Sequence, residues 1–297
     1  MVEQILQDDL SLLALPLYLA AMLVEAWHSQ RHHLAHYRLF DTLASLSMLV
    51  AAAVVELLPK LLAVVAFLYL HEISPLRDVV GRQWWAWVLL FFLDDFAYYW
   101  FHRANHEVRL FWAGHVNHHS SQHMNLGTAL RQGVGERLHK FLFWIWLPLL
   151  GFDPAMMITV ISLNLFYQFW LHTRAVGKLH PWIEAVFNTP SHHRVHHGSN
   201  VRYLDRNHGG VLIIWDRLFG TFSEERDDEP VIYGLTHNIE SDNPWTVLSH
   251  EYRAIWRDLR QANSWGDRLH ILLLAPGWSA QGPDKRAATL RQQAGIR

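Results

Sequence analysis

The spacing H-x-x-H-H constrains the fold of this 297-residue chain more than any other feature, because it occurs twice. The two stretches, GHVNHHSS and PSHHRVHHG, supply His115, His118 and His119, and then His193, His196 and His197. Residues at i, i+3 and i+4 all lie on one face of an α-helix, whereas in a strand the residue at i+3 points to the opposite face. Both stretches are therefore predicted to be helical, each with three imidazoles on one side.

Two further stretches extend this pattern. WFHRANHE places His102 and His106 four residues apart, and His172 ends the apolar run FYQFWLHT. The chain contains 22 His and no Cys, so disulfides, iron–sulfur clusters and thiolate-bound haem are excluded. A metal would have to bind to His, Asp or Glu. A purely structural reading of the repeated spacing is disfavoured, since clustered imidazoles need metal or acidic partners.

The number of clustered histidines bears on the kind of metal site. Nine neutral imidazoles exceed the three or four protein ligands of a single zinc ion. They suit two octahedral or near-octahedral ions with open positions, for which iron is the first candidate among oxidative metals. Copper is less favoured because no Cys or Met stands beside the clusters.

Other histidines are assigned lesser roles. His28, His32 and His36 are predicted to form a face beside the membrane rather than a metal site. His192 adjoins three candidate ligands, so we expect it to support them. The histidines without ligand spacing are His123, His139, His180, His208, His237 and His250.

The candidate catalytic residues outside the ligand set are Asp95, Tyr99, Glu107, His192 and Asn207. Asp95, like its neighbour Asp94, lies in an apolar run, where a carboxylate is costly. It is expected to accept the outer N–H of a ligand histidine, with a helix–helix hydrogen bond as the alternative. Glu107 could be an occasional ligand, a proton relay or a surface charge.

Apolar runs predict an all-α, polytopic membrane bundle with a His-rich cap facing the cytosol. Residues 10–27 and 84–100 each read as one span, and 40–70 as a kinked span or a hairpin. Residues 141–150 and 155–171 read as a further pair of membrane-embedded helices. The predicted divisions are N-terminal spans (1–83), a catalytic domain (84–280) and a loose polar tail (281–297).

Charge distribution predicts the orientation in the bilayer. The first nine residues carry acidic groups and no Lys or Arg, whereas later polar segments are richer in basic residues. The positive-inside bias therefore places the His-rich segments in the cytoplasm, in a bacterial inner membrane or the endoplasmic reticulum. A net charge of −2 argues against a nucleic-acid partner.

The motifs together resemble the fatty acid hydroxylase/sterol desaturase superfamily, and most closely its ether-lipid-cleaving members. The resembling stretches are 94–132, 165–173, 188–200, 209–222, 233–237 and 275–278. Two positions depart from the pattern. His123 stands where an acidic residue is expected, and His208 stands where an aromatic residue is expected.

The resemblance implies a non-haem di-iron enzyme that uses O2 in the membrane. The implied iron ligands are His102, His106, His115, His118, His119, His172, His193, His196 and His197. Tetrahydrobiopterin or an external electron-donor protein would supply electrons, since no Gly-rich nucleotide fingerprint is present.

The implied reaction is O-alkyl cleavage of an ether glycerolipid to a fatty aldehyde, with oxidation close to the head group. The alternatives are a fatty acyl, ornithine-lipid or sterol hydroxylase or desaturase of the same superfamily, a His-rich membrane metal transporter, and a zinc hydrolase.

Overall fold

The computed structural model describes residues 10–296, with side chains from residue 14 onward, and its regular structure is helical. No β-strand occurs among these residues; three isolated bridges are the only β contacts there. The helices are α1 (Leu10–Arg31), α2 (Leu39–Val55), α3 (Leu57–Glu72), α4 (Arg77–Val80), α5 (Trp84–Glu107), α6 (Arg109–His119), α7 (Leu126–Ala129), α8 (Arg137–Lys140), α9 (Trp146–Leu149), α10 (Pro154–Phe169), α11 (Pro181–Val186), α12 (Pro190–His196), α13 (Ile214–Phe219), α14 (Pro244–Gln261), α15 (Trp265–Leu273) and α16 (Ala287–Gln293). The predicted all-α class is confirmed.

The long apolar helices pack side by side and hold the rest of the chain. Helix α10 contacts α1, α3 and α5, and the main core forms where α5 and α10 meet. Leu90 and Ala97 of α5 pack there with Met156 and Met157 of α10, all fully or almost fully buried. This packing fixes the C-terminal half of α5, which carries the first two candidate ligands.

The apolar segments differ from simple membrane spans. Within residues 10–296, no single helix has both the length and the hydropathy needed to cross a bilayer. Helices α2 and α3 meet the criterion together, with a bend of 48° between them. Residues 40–70 are thus a bent pair rather than a folded-back hairpin.

The bend between α2 and α3 occurs at a buried acid. The Glu56 carboxylate accepts the Gly135 N–H at 2.8 Å and forms an ion pair with Arg137 at 2.9 Å. A carboxylate buried in an apolar helix pair needs such partners. Glu56 therefore fastens the bend to the loop that carries Glu136, a residue of the site described below.

Two expectations about the fold need correction. Residues 141–150 form a 3-10 turn (Phe141–Phe143) and the one-turn α9, because the buried Trp144 indole turns inward and donates to Asp94 at 2.7 Å. The segment 281–296, predicted to be a loose tail, contains α16, and Arg291 donates from it to the Leu204 carbonyl at 2.5 Å. The acidic residues used for orientation, among residues 1–9, lie outside the described part of the chain.

Candidate metal centre

All nine predicted ligand histidines converge in two adjoining groups, here called group A and group B. Group A contains His102, His106, His115, His119 and His196, and group B contains His118, His172, His193 and His197. Within each group, one nitrogen from every ring lies within 4.8 Å of those of the others. Every member of both groups is buried, apart from a partial exposure of His118. These groups could each hold a metal ion.

The two H-x-x-H-H motifs each supply both groups. In α6, His115 and His119 belong to group A and His118 to group B. In α12 and its C-cap the assignment is reversed, since His193 and His197 belong to group B and His196 to group A. Around a helix, residue i+4 is offset from residue i by about 40° in one direction. Residue i+3 is offset from residue i by about 60° in the opposite direction. One short helix can thus reach two neighbouring sites.

The remaining ligand positions come from the ends of the long helices. His102 and His106 occupy the last two turns of α5, which continues as a helix to Glu107 as predicted. His172 follows directly on the end of α10. Extended backbone at Val108, with φ −122° and ψ 113°, turns the chain from α5 into α6 and sets the two helices against each other.

The outer nitrogens of six rings are already engaged with oxygen acceptors. Backbone carbonyls accept from four Nδ1 atoms: His208 O from His102, Arg131 O from His118, Gln168 O from His172 and Arg206 O from His196, at 2.9–3.0 Å. Carboxylates accept from two, Asp205 from His106 at 3.3 Å and Glu136 from His115. Because these oxygens only accept, each Nδ1 carries the proton and each Nε2 is left with a lone pair.

The inner nitrogens face one another without a proton between them. The Nε2 atoms of His102 and His115 are 3.2 Å apart in group A, and those of His118 and His172 are 3.2 Å apart in group B. Metal–imidazole bonds are about 2.0–2.1 Å, so neighbouring nitrogens on one ion lie about 3 Å apart. A shared cation satisfies both lone pairs, and the donor set therefore fits one metal ion in each group.

Burial also keeps these rings neutral. Loss of hydration, reinforced by neighbouring imidazoles, lowers the pKa of His118 to about 3 and depresses the pKa of His102 and His193 well below the usual value. Neutral imidazole is the form that binds metal. All three rings are therefore available as ligands at physiological pH.

Comparison with known proteins identifies the domain that carries these groups. Residues 87–221, which include all nine histidines, match the sequence profile of the fatty acid hydroxylase family. Residues 87–221 form a fatty acid hydroxylase domain. No solved structure shows a significant match to the chain.

The curated relatives of the hydroxylase domain extend the match to most of the chain. Alkylglycerol monooxygenase of Danio rerio is 40% identical over 248 residues, covering 84% of this chain and 55% of the relative. Its Homo sapiens counterpart is 41% identical over 258 residues, covering 86% and 56%. A more distant relative, fatty acid hydroxylase vlmA of Lecanicillium sp., is 28% identical over 189 residues, covering 53% and 48%. The chain spans about half the length of the curated relatives it matches.

Two acids that back the ligands in the hydroxylase domain were not predicted. Glu136 binds the His115 ring, and Asp205 binds the His106 ring. Burial raises the pKa of the Glu136 carboxyl. Each acid is isolated in the sequence and reaches its histidine from a separate loop. Periodicity gives no signal for such a residue, and only the general need of a ligand histidine for an outer acceptor pointed to its existence.

Asp95 does not have its predicted role. Its carboxylate accepts the N–H groups of Val211 and Leu212 and the Trp215 indole, at 2.7–3.0 Å, and touches no histidine. Asp94 likewise binds Trp144 and Asn164 rather than a ligand. The structure thus favours the alternative of structural hydrogen bonds. Both acids precede His102, the first ligand position of α5, by about two helical turns.

Tyr99 and Glu107 also lie away from the two groups. The Tyr99 hydroxyl shares a hydrogen bond with Thr221 at 2.9 Å and accepts from Arg103 at 3.2 Å. Glu107 is about half exposed and pairs with Arg103 at 2.8 Å. Of the three roles considered for Glu107, the structure shows the surface charge.

His192 and Asn207 support α12 from outside the groups. His192 Nε2 lies 3.0 Å from the Glu184 carboxylate, which also accepts the Ser191 hydroxyl at 2.7 Å. The Asn207 amide donates to the carbonyls of His192 and Ser223 at 3.0 and 2.7 Å. Asn207 has φ +57°, a conformation that Asn tolerates better than most residues. These contacts fix the helix that, together with its C-cap, supplies three of the nine histidines.

His208 lies beside group A although its spacing gave no reason to expect it. The ring is fully buried, and its centroid is 5.0 Å from that of His106. Neither ring nitrogen has a hydrogen-bond partner, and burial holds the pKa of the ring well below its usual value. Its backbone carbonyl accepts from His102. His208 therefore contributes to the site at least through its main chain.

His28, at the end of α1, and His32 and His36, in the loop after it, lie outside both groups. The rings of His28 and His32 lie 4.4 Å apart, and neither belongs to group A or group B. The main-chain N–H of the buried His36 donates to Ser29. That these three histidines bind no metal stays a prediction.

A cavity of about 1080 Å³ opens directly onto the histidines. It reaches His106, His119 and His196 of group A and His197 of group B. Trp112, Val116 and Ile271 give it apolar walls, and Asn238, Asp267 and Lys285 lie along the same cavity. A ligand with one apolar and one polar part could be held there with its apolar part near the metal groups.

Proposed function

We propose that this protein is a membrane-bound, non-haem di-iron monooxygenase that acts on a lipid alkyl chain. The observation that carries the proposal is the pair of buried all-histidine groups with inward-facing lone pairs. Iron is the metal of choice because imidazole suits it and because two such groups exceed what a zinc hydrolase needs. The groups also adjoin each other at one place, which does not resemble the spaced sites of a transport path.

When bound, such a metal pair supplies the oxidant that inserts one oxygen atom of O2 into an unactivated C–H bond. The second oxygen atom leaves as water, formed with two protons and with two electrons from tetrahydrobiopterin or a separate donor protein. The chain's own residues fix the rings, keep them neutral and present the substrate carbon. Carbonyls and carboxylates behind six of the rings hold the Nε2 atoms of those rings toward the centre, which lowers the reorganisation needed on binding.

We propose an alkyl ether glycerolipid as the substrate. Hydroxylation of the carbon beside the ether oxygen gives a hemiacetal, which breaks down to a fatty aldehyde and a free glycerol hydroxyl. Support comes from the names of the relatives that are about 40% identical over most of this chain. The cavity supports it too, since apolar Trp112 and Val116 lie in the same lining as group A.

We further propose insertion in the membrane with the site at the cytoplasmic side. The bent pair α2–α3 has the length and hydropathy to cross, and it exposes Val54, Leu58 and Leu62 on its outer surface. Apolar residues are also exposed on α5 and α10, among them Val88 and Leu163. Large exposed apolar areas are rare on a protein surrounded by water.

The test is aldehyde release from labelled 1-O-alkylglycerol by iron-loaded protein supplied with tetrahydrobiopterin and O2. We expect aldehyde formation that requires all three of iron, O2 and a reductant. His118→Ala serves as the inactive control, and His28→Ala as the active one.

A second candidate, hydroxylation of a fatty acyl lipid, is favoured by the fatty acid hydroxylase match and by vlmA. Hydroxylated acyl product without aldehyde, from the same preparation, would establish this candidate instead. Absence of both products from an iron-loaded, reducible preparation would reject the monooxygenase proposal.

A further inference from the structure

Helix α14 separates its charges completely between its two faces. All eighteen of its residues are described, and its two acids, Glu251 and Asp258, are both on the side that packs against the protein. Its three arginines, Arg253, Arg257 and Arg260, are all exposed. A helix that only needed solubility would carry mixed charges outward. The separation therefore indicates a partner for the outer face.

The inner face of α14 is already accounted for. Arg109, at the start of α6, binds Glu251 and Asp258 at 2.7 Å each. Val247 and Ile255 are buried beneath the helix. Glu251 and Asp258 also line the cavity that leads to the metal groups. One side of α14 is thus a wall of the cavity.

The outer face combines arginine with exposed tryptophan. Trp245 is 70% exposed and Trp256 is 65% exposed, although large aromatic side chains normally gain much from burial. They are eleven residues apart, about three helical turns, and so lie on the same side. Arg253 and Arg260 fall on that side as well, within about 80° of Trp245. Arg257 Nε lies 3.7 Å from Asp258 Oδ1, yet 67% of the Arg257 side chain is exposed to solvent.

The pattern continues into α15. Trp265 is 77% exposed, and the Arg268 guanidinium lies 4.8 Å from its ring. Leu269 and Leu273 are exposed on the same helix. The surface of α14 and α15 that bears these residues is called the Trp/Arg face: Trp245, Arg253, Trp256, Arg257, Arg260, Trp265, Arg268, Leu269 and Leu273.

We propose that the Trp/Arg face rests on an anionic phospholipid surface. Indole rings prefer the level of the lipid head groups, and guanidinium binds phosphate while its apolar stem lies along the ring. A cluster of arginines without acids on an amphipathic helix is the pattern that recognises anionic head groups. The whole chain has a net charge of −2, so this attraction is local to the face.

Position in the fold supports a lipid partner over a protein partner. Val247 of α14 packs in one cluster with Met48 and Ala52 of α2, and Arg38 before α2 pairs with Asp242 before α14 at 2.9 Å. The inner side of α14 therefore packs against the helix pair that has membrane-spanning length and hydropathy, with the Trp/Arg face on the opposite, outer side of α14. A bilayer around α2–α3 would meet α14 at its edge. The inference concerns this surface and holds whichever reaction the cavity performs.

The absence of Cys from the sequence makes a direct test possible. A single nitroxide label is placed at Trp256→Cys in the full chain, reconstituted in nanodiscs. The discs contain phosphatidylcholine alone, or with phosphatidylglycerol as about a third of the lipid. Relaxation by O2, which concentrates in the bilayer, is compared with relaxation by a water-soluble nickel chelate. Asp227→Cys, on an exposed turn, provides the matched aqueous control.

We expect the label at 256 to favour O2 over the nickel chelate, most strongly in discs with phosphatidylglycerol, while the label at 227 favours the chelate. Replacing Arg253, Arg257 and Arg260 by Glu should make the nickel chelate the more effective relaxant of the label at 256. Equal access of the chelate to 256 and 227 in both lipids would overturn the proposal. So would protection of 256 that appears only in discs holding two copies of the chain. The comparison in the otherwise unaltered chain decides the question even if the triple variant does not fold.

Discussion

His102 and His115 turn their Nε2 atoms toward each other at 3.2 Å, while the opposite nitrogens donate to the His208 carbonyl and the Glu136 carboxylate. Neither ring has a proton left to place between them. A cation in common would satisfy both lone pairs, and His118 and His172 repeat this arrangement in group B.

This geometry predicts metal content. Protein from iron-replete medium should carry about two metal ions per chain, mainly iron. His102→Ala should weaken metal binding in group A, and His118→Ala should weaken it in group B. In each variant the metal content should fall from about two ions per chain toward one. Elemental analysis of the purified protein measures this directly. A single zinc ion per chain and no iron would reject the di-iron assignment.

The division of the histidines predicts which variants lose turnover. His196→Ala and His118→Ala each remove one ring from the middle of an H-x-x-H-H motif, and both should abolish activity while the protein still reaches the membrane. His28→Ala should remain active, because His28 belongs to neither group. Activity and membrane-fraction abundance are measured together. Equal inactivity of His28→Ala and His118→Ala at equal abundance would contradict the division.

Glu136 is predicted to act through His115. Glu136→Gln should weaken metal binding by about 10–100-fold, since the carboxylate that orients the ring and raises its basicity is lost. Competition with a chelator of known affinity gives the constant. Glu107→Gln is the matched control, because Glu107 is about half exposed and pairs only with Arg103. An unchanged metal affinity in Glu136→Gln would show that the Glu136 carboxylate is not needed to orient the His115 ring.

Asp95 is predicted to matter for folding rather than for metal binding. Asp95→Ala leaves the N–H groups of Val211 and Leu212 without their acceptor, at a cost of about 1–3 kcal/mol for each buried group. The melting temperature should fall clearly, with metal per folded protein unchanged. Loss of metal from protein of unaltered melting temperature would instead support a direct role at the site.

Glu184 gives the protein a stability contribution that depends on pH. Burial raises the pKa of its carboxyl, but hydrogen bonds from His192, the Leu179 N–H and Ser191 outweigh this and lower it to about 2. The contribution is therefore complete above the ordinary value of 4.5 and is lost as pH falls toward 2.

Melting temperatures of Glu184→Gln and the unaltered protein test this. Their difference should be constant above pH 5 and shrink below about pH 4.5. A difference that stays the same down to the acid limit of folding would contradict the assignment.

The parts of the structure that the sequence predicted are those governed by local periodicity. The H-x-x-H-H spacing was enough to place three rings on each of two helices, since i, i+3 and i+4 relations need no knowledge of the rest of the chain. The continuation of α5 to His106 followed from the same rule.

The parts that were missed depend on contacts between distant residues. Asp95 meets Val211 across more than a hundred residues, and Glu136 reaches His115 from a loop without regular structure. The break at Glu56 and the turn around Trp144 likewise depend on partners, Gly135 and Asp94, that hydropathy does not reveal. A run of apolar residues fixes the environment of a segment but not where its helix ends.

The exchange of histidines between groups has a consequence for biosynthesis. Group A lacks one ligand until His196 has been translated, and group B lacks one until His197, the next residue. Both ion-binding sites are thus completed by the C-terminal turn of α12 and its C-cap, after α5, α6 and α10 have been translated. Metal insertion in the cell should accordingly be a single late event in maturation, and a nascent chain stalled before α12 should retain neither ion.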